Sequence, residues 1–471
     1  MQAKIYFGSD AVTKDELSER KSPFSGDVVS SAPICNEEDA NKALKIAQRA
    51  TKEAKASSLS QRCSWLLDVA QKLKENKEDM AKTITDEVGK PISFARVEVE
   101  RCIETLTLSA ETMRTMHGET INSDAMASGK KTLSFFRRES VGVVVAITPF
   151  NFPLNLVAHK LCPALVAGNT VVLKPTPEAP LTAYKFAKLF IESSYAIKDA
   201  LSVVYGDAEV GSALITSDIP RVVSFTGSVP VGNIIAKNAG IKKVALELGG
   251  NAATFVEKSA DLALAAQRCS LGAFVNSGQV CISLQRIYVQ AEVYDTFAKL
   301  MAEESKKLKV GSPYDEDTFM GPLIDDAAAN RAMRWVQSAI EEGARPLLPP
   351  HKEGRMFHPC IMADVRDDMS IVCEEVFAPI VSLVKVDSFD AAVSKMNNSP
   401  YGLQFSVFTN DLSITNRAIN ELDAGGIVIN DMPTLRFDIQ PYGGVRLSGV
   451  GREGPRFAIE EMTEIKSVVI C

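Results

Sequence analysis

The chain has 471 residues with 52 Lys+Arg against 59 Asp+Glu, a formal net charge of −7, and 46% hydrophobic to 24% charged residues. That is a globular mix with room for two or three domains of ~150 residues; the mild acidic excess without a polybasic run argues against nucleic acid or an anionic membrane as partner. Nine cysteines without a CxxC pair, and only four histidines, make neither a disulfide framework nor a metal centre, so a reducing cytoplasm is the expected location and no metal is expected.

Met1 to Asp10 lacks the basic and apolar regions of a signal peptide. The first 120 residues are mostly helical in pattern. Asn36 with Glu37, Glu38 and Asp39 offers a cap and an acidic first turn ahead of Ala40–Ala50, where apolar positions recur every three or four. A second helix follows Ser60, with Trp65, Leu66, Val69 and Leu73 on one face, and a third runs from Phe94 to about Met116 after the Gly89-Lys90-Pro91 break. Residues 118 to 138 lose helical periodicity and suggest a hairpin-like excursion.

From Val141 the pattern changes. Val141–Ile147, Thr170–Lys174, Leu201–Gly206 and Val222–Gly227 are short β-branched runs separated by helical stretches. Val141–Ile147, the most apolar of them, is far shorter than the ~20 residues that cross a bilayer. The alternation restarts near Ala245, with Ala253–Val256, Arg286–Val289, Val381–Val384 and Gly426–Asn430 as later strands. Strands alternating with helices imply βαβ units and a covered parallel sheet, here two α/β domains in succession. Leu347–Gly354 reads as a surface loop.

Gly449-Val450-Gly451-Arg452-Glu453-Gly454 matches the GxGxxG dinucleotide pattern, but prolines and glycines rather than a strand precede it, so it is expected to be a turn leading into a C-terminal helix. Ser224 to Gly232 is a better phosphate cradle. There an apolar strand delivers a Gly-Ser turn into helical spacing, which would present backbone N–H groups and a positive helix end. Cys281 follows Asn276-Ser277-Gly278-Gln279-Val280 just ahead of a strand, where a thiol can meet a cleft. Glu247 is a lone carboxylate between apolar residues at a strand end; burial there would raise its pKa and suit it to be a base, whereas a surface-pointing strand residue would have no such role. Asn151, in Thr148-Pro149-Phe150-Asn151-Phe152-Pro153, is an amide held at a strand's carboxyl end, suited to an oxyanion or simply to a turn.

Together these residues resemble the aldehyde dehydrogenase superfamily over nearly the whole chain. Pro149–Pro153, Lys174-Pro175, Phe225–Ser228, Glu247–Gly250, Gly278–Cys281, Glu374–Phe377 and Pro441–Gly444 occur in the family's order, and the 34-residue interval from Glu247 to Cys281 is similar to the family's. The resemblance implies an aldehyde dehydrogenase-like α/β fold with a Rossmann-like cofactor domain, a catalytic domain and a β oligomerisation arm. It also implies the roles. Cys281 is the nucleophile that forms a thiohemiacetal and then a thioester. Asn151 and the Cys281 N–H hold the oxyanion, and Glu247 activates water for hydrolysis. The cofactor, NAD or NADP, is expected along Thr148, Pro149, Lys174, Thr176, Pro177, Gly227, Ser228, Gly232, Leu248, Glu375 and Phe377. Of these, Lys174 is assigned to the adenosine ribose, Ser228 to the pyrophosphate and Glu375 to the nicotinamide ribose.

Departures from the family pattern bear on the cofactor and substrate. The glutamate that NAD-preferring members carry three positions after the lysine is Pro177 here, followed by Glu178, which leaves NADP open. Ala378 and Ala253 replace a usual glycine and proline. Arg96–Arg101 and the late Arg436 and Asp438 are similar to the lactaldehyde, sulfolactaldehyde, phosphonoacetaldehyde and non-phosphorylating glyceraldehyde-3-phosphate dehydrogenases. Arg101, Phe152 and Arg436 are therefore the substrate-pocket candidates, because a guanidinium fork matches a carboxylate, sulfonate or phosphate. Alternatively Arg101 makes an ordinary helix-surface pair with Glu98 or Glu104. Val280 stands where the phosphonoacetaldehyde type carries an arginine, which counts against that substrate. A small hydroxylated or anionic aldehyde is the expected substrate.

The expected division is 1–117 with 139–247 for the cofactor, 248–455 for catalysis, and 118–138 with 456–471 as the arm. An exposed arm edge implies a homodimer or homotetramer. A CoA-acylating semialdehyde dehydrogenase is the rival within the same class, disfavoured by the presence of Glu247. A non-catalytic binding protein on this fold is the rival outside it, disfavoured by the intact Cys281, Glu247 and Asn151.

Overall fold

The computed structural model describes residues 1–471. At the centre of an eight-stranded sheet, Leu201–Val203, Thr170–Lys174, Val143–Ile147, Val222–Thr226 and Lys243–Glu247 lie side by side and parallel. Val143, Val144, Val145 and Ala146 are all buried, as expected of a parallel strand covered on both faces. Helices Glu37–Ala56 and Asn155–Val166 pack against this sheet. The first of these begins at a capping box between Asn36 and Asp39, a reciprocal arrangement that satisfies backbone donors at the helix start.

A second, seven-stranded sheet runs in the order Arg345–Leu348, Cys360–Ala363, Ile380–Val386, Leu284–Gln290, Ala252–Val256, Gln404–Phe408 and Gly426–Ile429. All its pairings are parallel except that of Arg345–Leu348. The chain crosses from the first sheet to the second through Leu248-Gly249-Gly250-Asn251, between Lys243–Glu247 and Ala252–Val256. It returns at Gly449–Val450, which pairs antiparallel with Leu246 and Glu247. A third sheet joins Glu119–Asn122, Leu133–Ser140 and Thr463–Ile470, the last two in register from Thr463 opposite Ser140 to Ile470 opposite Leu133. No helix is long and apolar enough to cross a membrane.

Several elements differ from the sequence reading. The N-terminal segment holds strands Ile5–Phe7, Asp10–Val12, Leu17–Lys21 and Val28–Pro33, where the first 120 residues read as mostly helical; runs this short at sheet edges carry no readable alternation. An additional helix, Lys77–Val88, follows Leu59–Glu75 after the single residue Asn76. Leu347–Gly354 is not a simple loop, because Arg345–Leu348 edges the second sheet and Lys352–Glu353 begins a small hairpin. The Gly449–Gly454 turn does lead into a helix, Pro455–Glu461, but that helix belongs with the first sheet. Its Ile459, and Met462 just after it, sit in the same core as Val144 and Leu161. The sheets therefore do not follow the expected limits at residue 455: Gly449–Met462 packs with the first sheet, since the apolar face of the helix is buried there.

One buried ion pair holds the turn that precedes Asn155–Val166. This helix has no side-chain cap of its own. Instead Glu98, from helix Ile92–Thr115, accepts hydrogen bonds from the N–H groups of Leu154 (2.9 Å) and Asn155 (3.1 Å). Its other oxygen pairs with Lys90, and Lys90 Nζ lies 3.9 Å from the centroid of the Phe152 ring. Both charged groups are about 1% exposed, so each depends on the other for solvation. Glu98→Ala is expected to destabilise the fold by roughly 3–5 kcal/mol, read as a lowered denaturant midpoint at constant m; a midpoint within 0.5 kcal/mol, about the size of an ordinary surface substitution, would show that the pair is dispensable.

Candidate active site

Carboxyl ends of neighbouring parallel strands bring the candidate residues together. Ile147 stands opposite both Lys174 and Phe225, and Thr226 opposite Glu247, so Thr148–Phe152, Thr226–Ser228 and Glu247 emerge along one edge of the first sheet. Loops of the second sheet face them across a cavity of about 350 Å³. Its lining includes Asn151, Glu247, Cys281, Phe152, Arg101 and Arg436.

The segment before Cys281 is held in an unusual backbone conformation. Asn276 and Ser277 have φ of 50° and 56°, followed by Gly278 at 71°. Consecutive left-handed non-glycine residues cost about 1–3 kcal/mol each and persist only where the surroundings enforce them. Here Ser277 Oγ donates to Gly321 O (2.7 Å), and Gln279 Oε1 accepts from Ile324 N–H (2.9 Å). Asn151 Nδ2 donates to Gln279 O at 3.1 Å, tying the amide to the cysteine loop. An amide nitrogen carries two N–H donors, so the second is available to the cavity. Cys281 Sγ lies 2.9 Å from the Tyr442 hydroxyl. Burial pushes the thiol up to about 12, against the pull of the Tyr442 hydrogen bond.

Glu247 ends its strand pointing inward rather than to the surface, 5% exposed. Its Oε2 has no hydrogen-bond partner. Burial, then the nearby Glu453 carboxylate, raises its pKa well above the ordinary carboxylate value, despite Arg436 and Lys160. An unpaired, proton-seeking carboxylate in a cleft is suited to general-base chemistry.

The arginines sit in a ladder of buried charges. Arg101 does not pair with Glu98 or Glu104 on its own helix; its Nε and Nη2 grip both oxygens of Asp438, at 2.9 and 2.7 Å. Glu98 is turned inward to Lys90 instead. Arg436 contacts Asp438 (3.6 Å) and Glu453 (3.1 Å), Glu453 contacts Lys160 (3.2 Å), and His159 Nε2 lies 3.0 Å from Asp438. Burial opposes the ionisation of both carboxylates, but the partners prevail. His159 and Arg101 hold Asp438 far below the usual range, and Lys160 with Arg436 brings Glu453 to about 2. Burial and the Arg436 charge lower the His159 pKa, against the pull of Asp438. Sequence reasoning assigned no role to Lys160, Tyr442 or Glu453. The last lies inside the glycine-rich turn set aside as structural, and only its cluster of glycines marked the segment.

The expected cofactor residues divide into two groups. Pro149, Gly227, Ser228, Leu248, Glu375 and Phe377 line the cavity with the catalytic candidates. Lys174, Thr176, Pro177, Thr148 and Gly232 do not. Lys174 is buried at its strand's end, Thr176 donates its hydroxyl to Glu178, and Gly232 packs under Leu248. Several features fit a dinucleotide. Ser228 caps helix Val229–Asn238 without spending its side chain on the cap, leaving helix N–H groups for a phosphate. The Thr148 and Thr226 hydroxyls are buried without partners. A Cβ on Gly249 would stand 2.4 Å from Glu375 Oε2, so the missing side chain leaves that carboxylate its place. Glu375 accepts from Gly250 N–H (3.0 Å), and burial lifts it to about 7.

Residues 11–468 match the sequence pattern of the Aldehyde dehydrogenase family. The 3-sulfolactaldehyde dehydrogenase of Priestia megaterium is 42% identical over 470 residues, covering 100% of this chain and 98% of the relative. The lactaldehyde dehydrogenase of Methanococcus maripaludis strain C5 is 39% identical over 452 residues, 95% of this chain and 96% of the relative. Among solved structures, the NADP-dependent glyceraldehyde-3-phosphate dehydrogenase of Bacillus halodurans C-125 complexed with NADP superposes with a TM-score of 0.97 at 34% identity, covering 100% of this chain and 99% of that one.

Gly249→Ala is expected to displace Glu375 while leaving the fold intact, because the clash is with the end of a flexible side chain. The dissociation constants of NAD and NADP should rise about tenfold, equivalent to ~1.4 kcal/mol, at an unchanged unfolding midpoint; unaltered binding would exclude Glu375 from the cofactor site.

Proposed function

The chain belongs to the aldehyde dehydrogenase family of NAD(P)-dependent oxidoreductases, and from that premise we propose that it oxidises a small hydroxylated or anionic aldehyde to its carboxylic acid, with Cys281 as nucleophile and Glu247 as base. The observation that carries the reading is one cavity whose lining brings together the Cys281 thiol, the unpaired buried Glu247 carboxylate, the Asn151 amide and the Arg101 and Arg436 guanidinium groups.

The thiol proton passes to Glu247, and the Cys281 sulfur forms a bond to the carbonyl carbon while the π pair moves to oxygen. Asn151 Nδ2 and the Cys281 N–H donate to that oxyanion, where preorganised donors are most effective. NAD(P) supplies, when bound, the acceptor for the hydride that leaves the thiohemiacetal carbon. Glu247, having released its first proton to solvent, takes one from water. That water's oxygen adds to the Cys281 thioester, the C–S bond breaks, and the acid departs.

The substrate preference follows from the cavity end of the ladder, where Arg436 and Lys160 are engaged by Asp438 and Glu453. Arg101 Nη1 is not used in the pair with Asp438, and Phe152 lies beneath the guanidinium at 5.8 Å. An anionic or hydroxylated tail placed there would accept from that guanidinium N–H. Both cofactors remain in the proposal: Glu178 is engaged by the Thr176 hydroxyl and Pro177 carries no charge to repel a 2′-phosphate. Further parts of the reading are a cofactor unit of 1–117 and 139–247 joined by Gly449–Met462, a catalytic unit of 248–448, and a β arm of 118–138 with Thr463–Ile470. That arm pairs with a second copy in a homodimer or homotetramer. A cytoplasmic location accords with nine free thiols.

A panel of glyceraldehyde 3-phosphate, lactaldehyde, sulfolactaldehyde, succinate semialdehyde and propanal, assayed with NAD and with NADP, tests the substrate class. The hydroxylated or anionic members should exceed propanal at least tenfold in kcat/KM, and Arg101→Met should abolish that preference, since charge-assisted hydrogen bonds contribute about 1.5–3 kcal/mol. Indifference to the tail would remove the case for Arg101 and Arg436, and aldehyde oxidation surviving Cys281→Ala would remove the nucleophile. Because the base is the ionised form and Glu247 is raised, kcat should climb with pH above the ordinary carboxylate range, and Glu247→Gln should lose that limb with a fall of about 10²–10⁴ in kcat; an unaltered pH profile in the variant excludes Glu247.

A further inference from the structure

We infer that Tyr442 is a further catalytic residue: its phenol O–H donates a hydrogen bond to the Cys281 sulfur and stabilises the thiolate both before it attacks and as it leaves the thioester. This rests on the reading of Cys281 as the nucleophile. The contact is 2.9 Å between Tyr442 Oη and Cys281 Sγ. It is held from every side. The ring is 6% exposed and packs with Val280, Ile282 and Leu403. The Tyr442 backbone is bridged to Glu453 by paired hydrogen bonds of 3.1 and 2.6 Å. The Arg436 guanidinium carbon lies 3.8 Å from the ring centroid, and Arg436 is anchored in turn by Glu453. The ladder that faces the substrate thus also fixes the phenol against the sulfur.

The charged and titratable groups around Cys281 are Tyr442, Glu375, Arg436 and Glu247. Two are carboxylates that oppose a thiolate, and Arg436 acts on the sulfur across the tyrosine ring. Tyr442 is the one neutral donor on the sulfur. Burial, with the adjacent thiol, keeps its own ionisation well above the ordinary phenol value, so it remains a donor throughout the working range. A cation on a ring face is attracted by the π electrons, and its charge makes the phenol a stronger donor.

The phenol keeps its proton in both steps. On attack, the thiol proton has already gone to Glu247; a sulfur lone pair becomes the C–S bond and the carbonyl π pair moves to oxygen. On hydrolysis, the C–S bond breaks and its electron pair returns to sulfur, where the O–H again stabilises the developing charge. A lower thiol pKa also lowers intrinsic nucleophilicity, with a Brønsted slope of about 0.4–0.5. A tenfold larger thiolate population therefore yields about a threefold to fourfold gain in the rate of attack rather than tenfold.

The test follows iodoacetamide alkylation of Cys281 by peptide mass spectrometry between pH 7 and 10, with no aldehyde present. Tyr442→Phe should slow alkylation about threefold to fourfold across the rising limb, and 3-fluorotyrosine in place of Tyr442, a stronger donor of the same shape, should speed it. Equal rates in both, or changes in the opposite sense, overturn the proposal. The fluorinated protein preserves the packing, so it decides the matter even if the phenylalanine variant folds poorly. Loss of the parent reading appears separately, as aldehyde oxidation that survives Cys281→Ala.

Discussion

The site depends on how closely two backbones approach where the chain crosses between its sheets. A Cβ built on Gly250 would stand 2.2 Å from the Cys281 carbonyl oxygen, a separation that only glycine permits. Gly250 N–H is bound by Glu375, and Gly249 lies under the same carboxylate. Two glycines therefore let a loop of the second sheet close directly onto the end of the first, immediately after Glu247. Any side chain at Gly250 would lift the cysteine loop away from the strand that carries the base, and would separate the groups whose chemistry requires proximity.

Charge burial is the second organising theme, and it works in two opposite ways. Glu98 is fully partnered, by Lys90 and two backbone N–H groups, and anchors a helix start. Glu247 is equally buried but leaves one oxygen without a partner. The first arrangement turns a charge into structure, because breaking it would strand an ion in a low-dielectric interior. The second keeps a carboxylate eager for a proton, which is what a base at near-neutral pH requires. Between them, Arg101, Asp438, Arg436, Glu453 and Lys160 alternate in sign, so that each charge is solvated by its neighbours. The same alternation presents a guanidinium to the substrate side and stacks another on the tyrosine that touches the thiol.

Much of this was legible from local pattern. Val143–Ile147, Thr170–Lys174 and Val222–Thr226 stand within two residues of where their β-branched runs place them, and the Asn36 cap begins its helix. Less legible were elements whose identity depends on distant neighbours. Ile5–Phe7 pairs along its length with Asp10–Val12 and joins the first sheet only through Tyr6 opposite Val203, and Gln404–Phe408, with Gln404 and Ser406 in its run, is a strand because it lies between Ala252–Val256 and Gly426–Ile429. Neither pairing leaves a mark in three to five residues. The helix Pro455–Glu461 was anticipated, but its allegiance to the first sheet was not, since an apolar face does not say which core will bury it.

The sequence by itself determined the kind of chemistry through a cysteine after a glycine turn, a carboxylate at a strand end and a proline-framed asparagine, ambiguous one by one and telling only in the order that resembles the aldehyde dehydrogenase family. Tertiary structure decided what those groups experience. Arg101 finds its partner in Asp438, 337 residues away, instead of one helical turn along, and Tyr442 reaches Cys281 across 161 residues. Pairing and desolvation are properties of three-dimensional neighbourhoods, so the ionisation of the base, the engagement of the arginines and the hydrogen bond on the sulfur exist only once the two sheets have closed on one another.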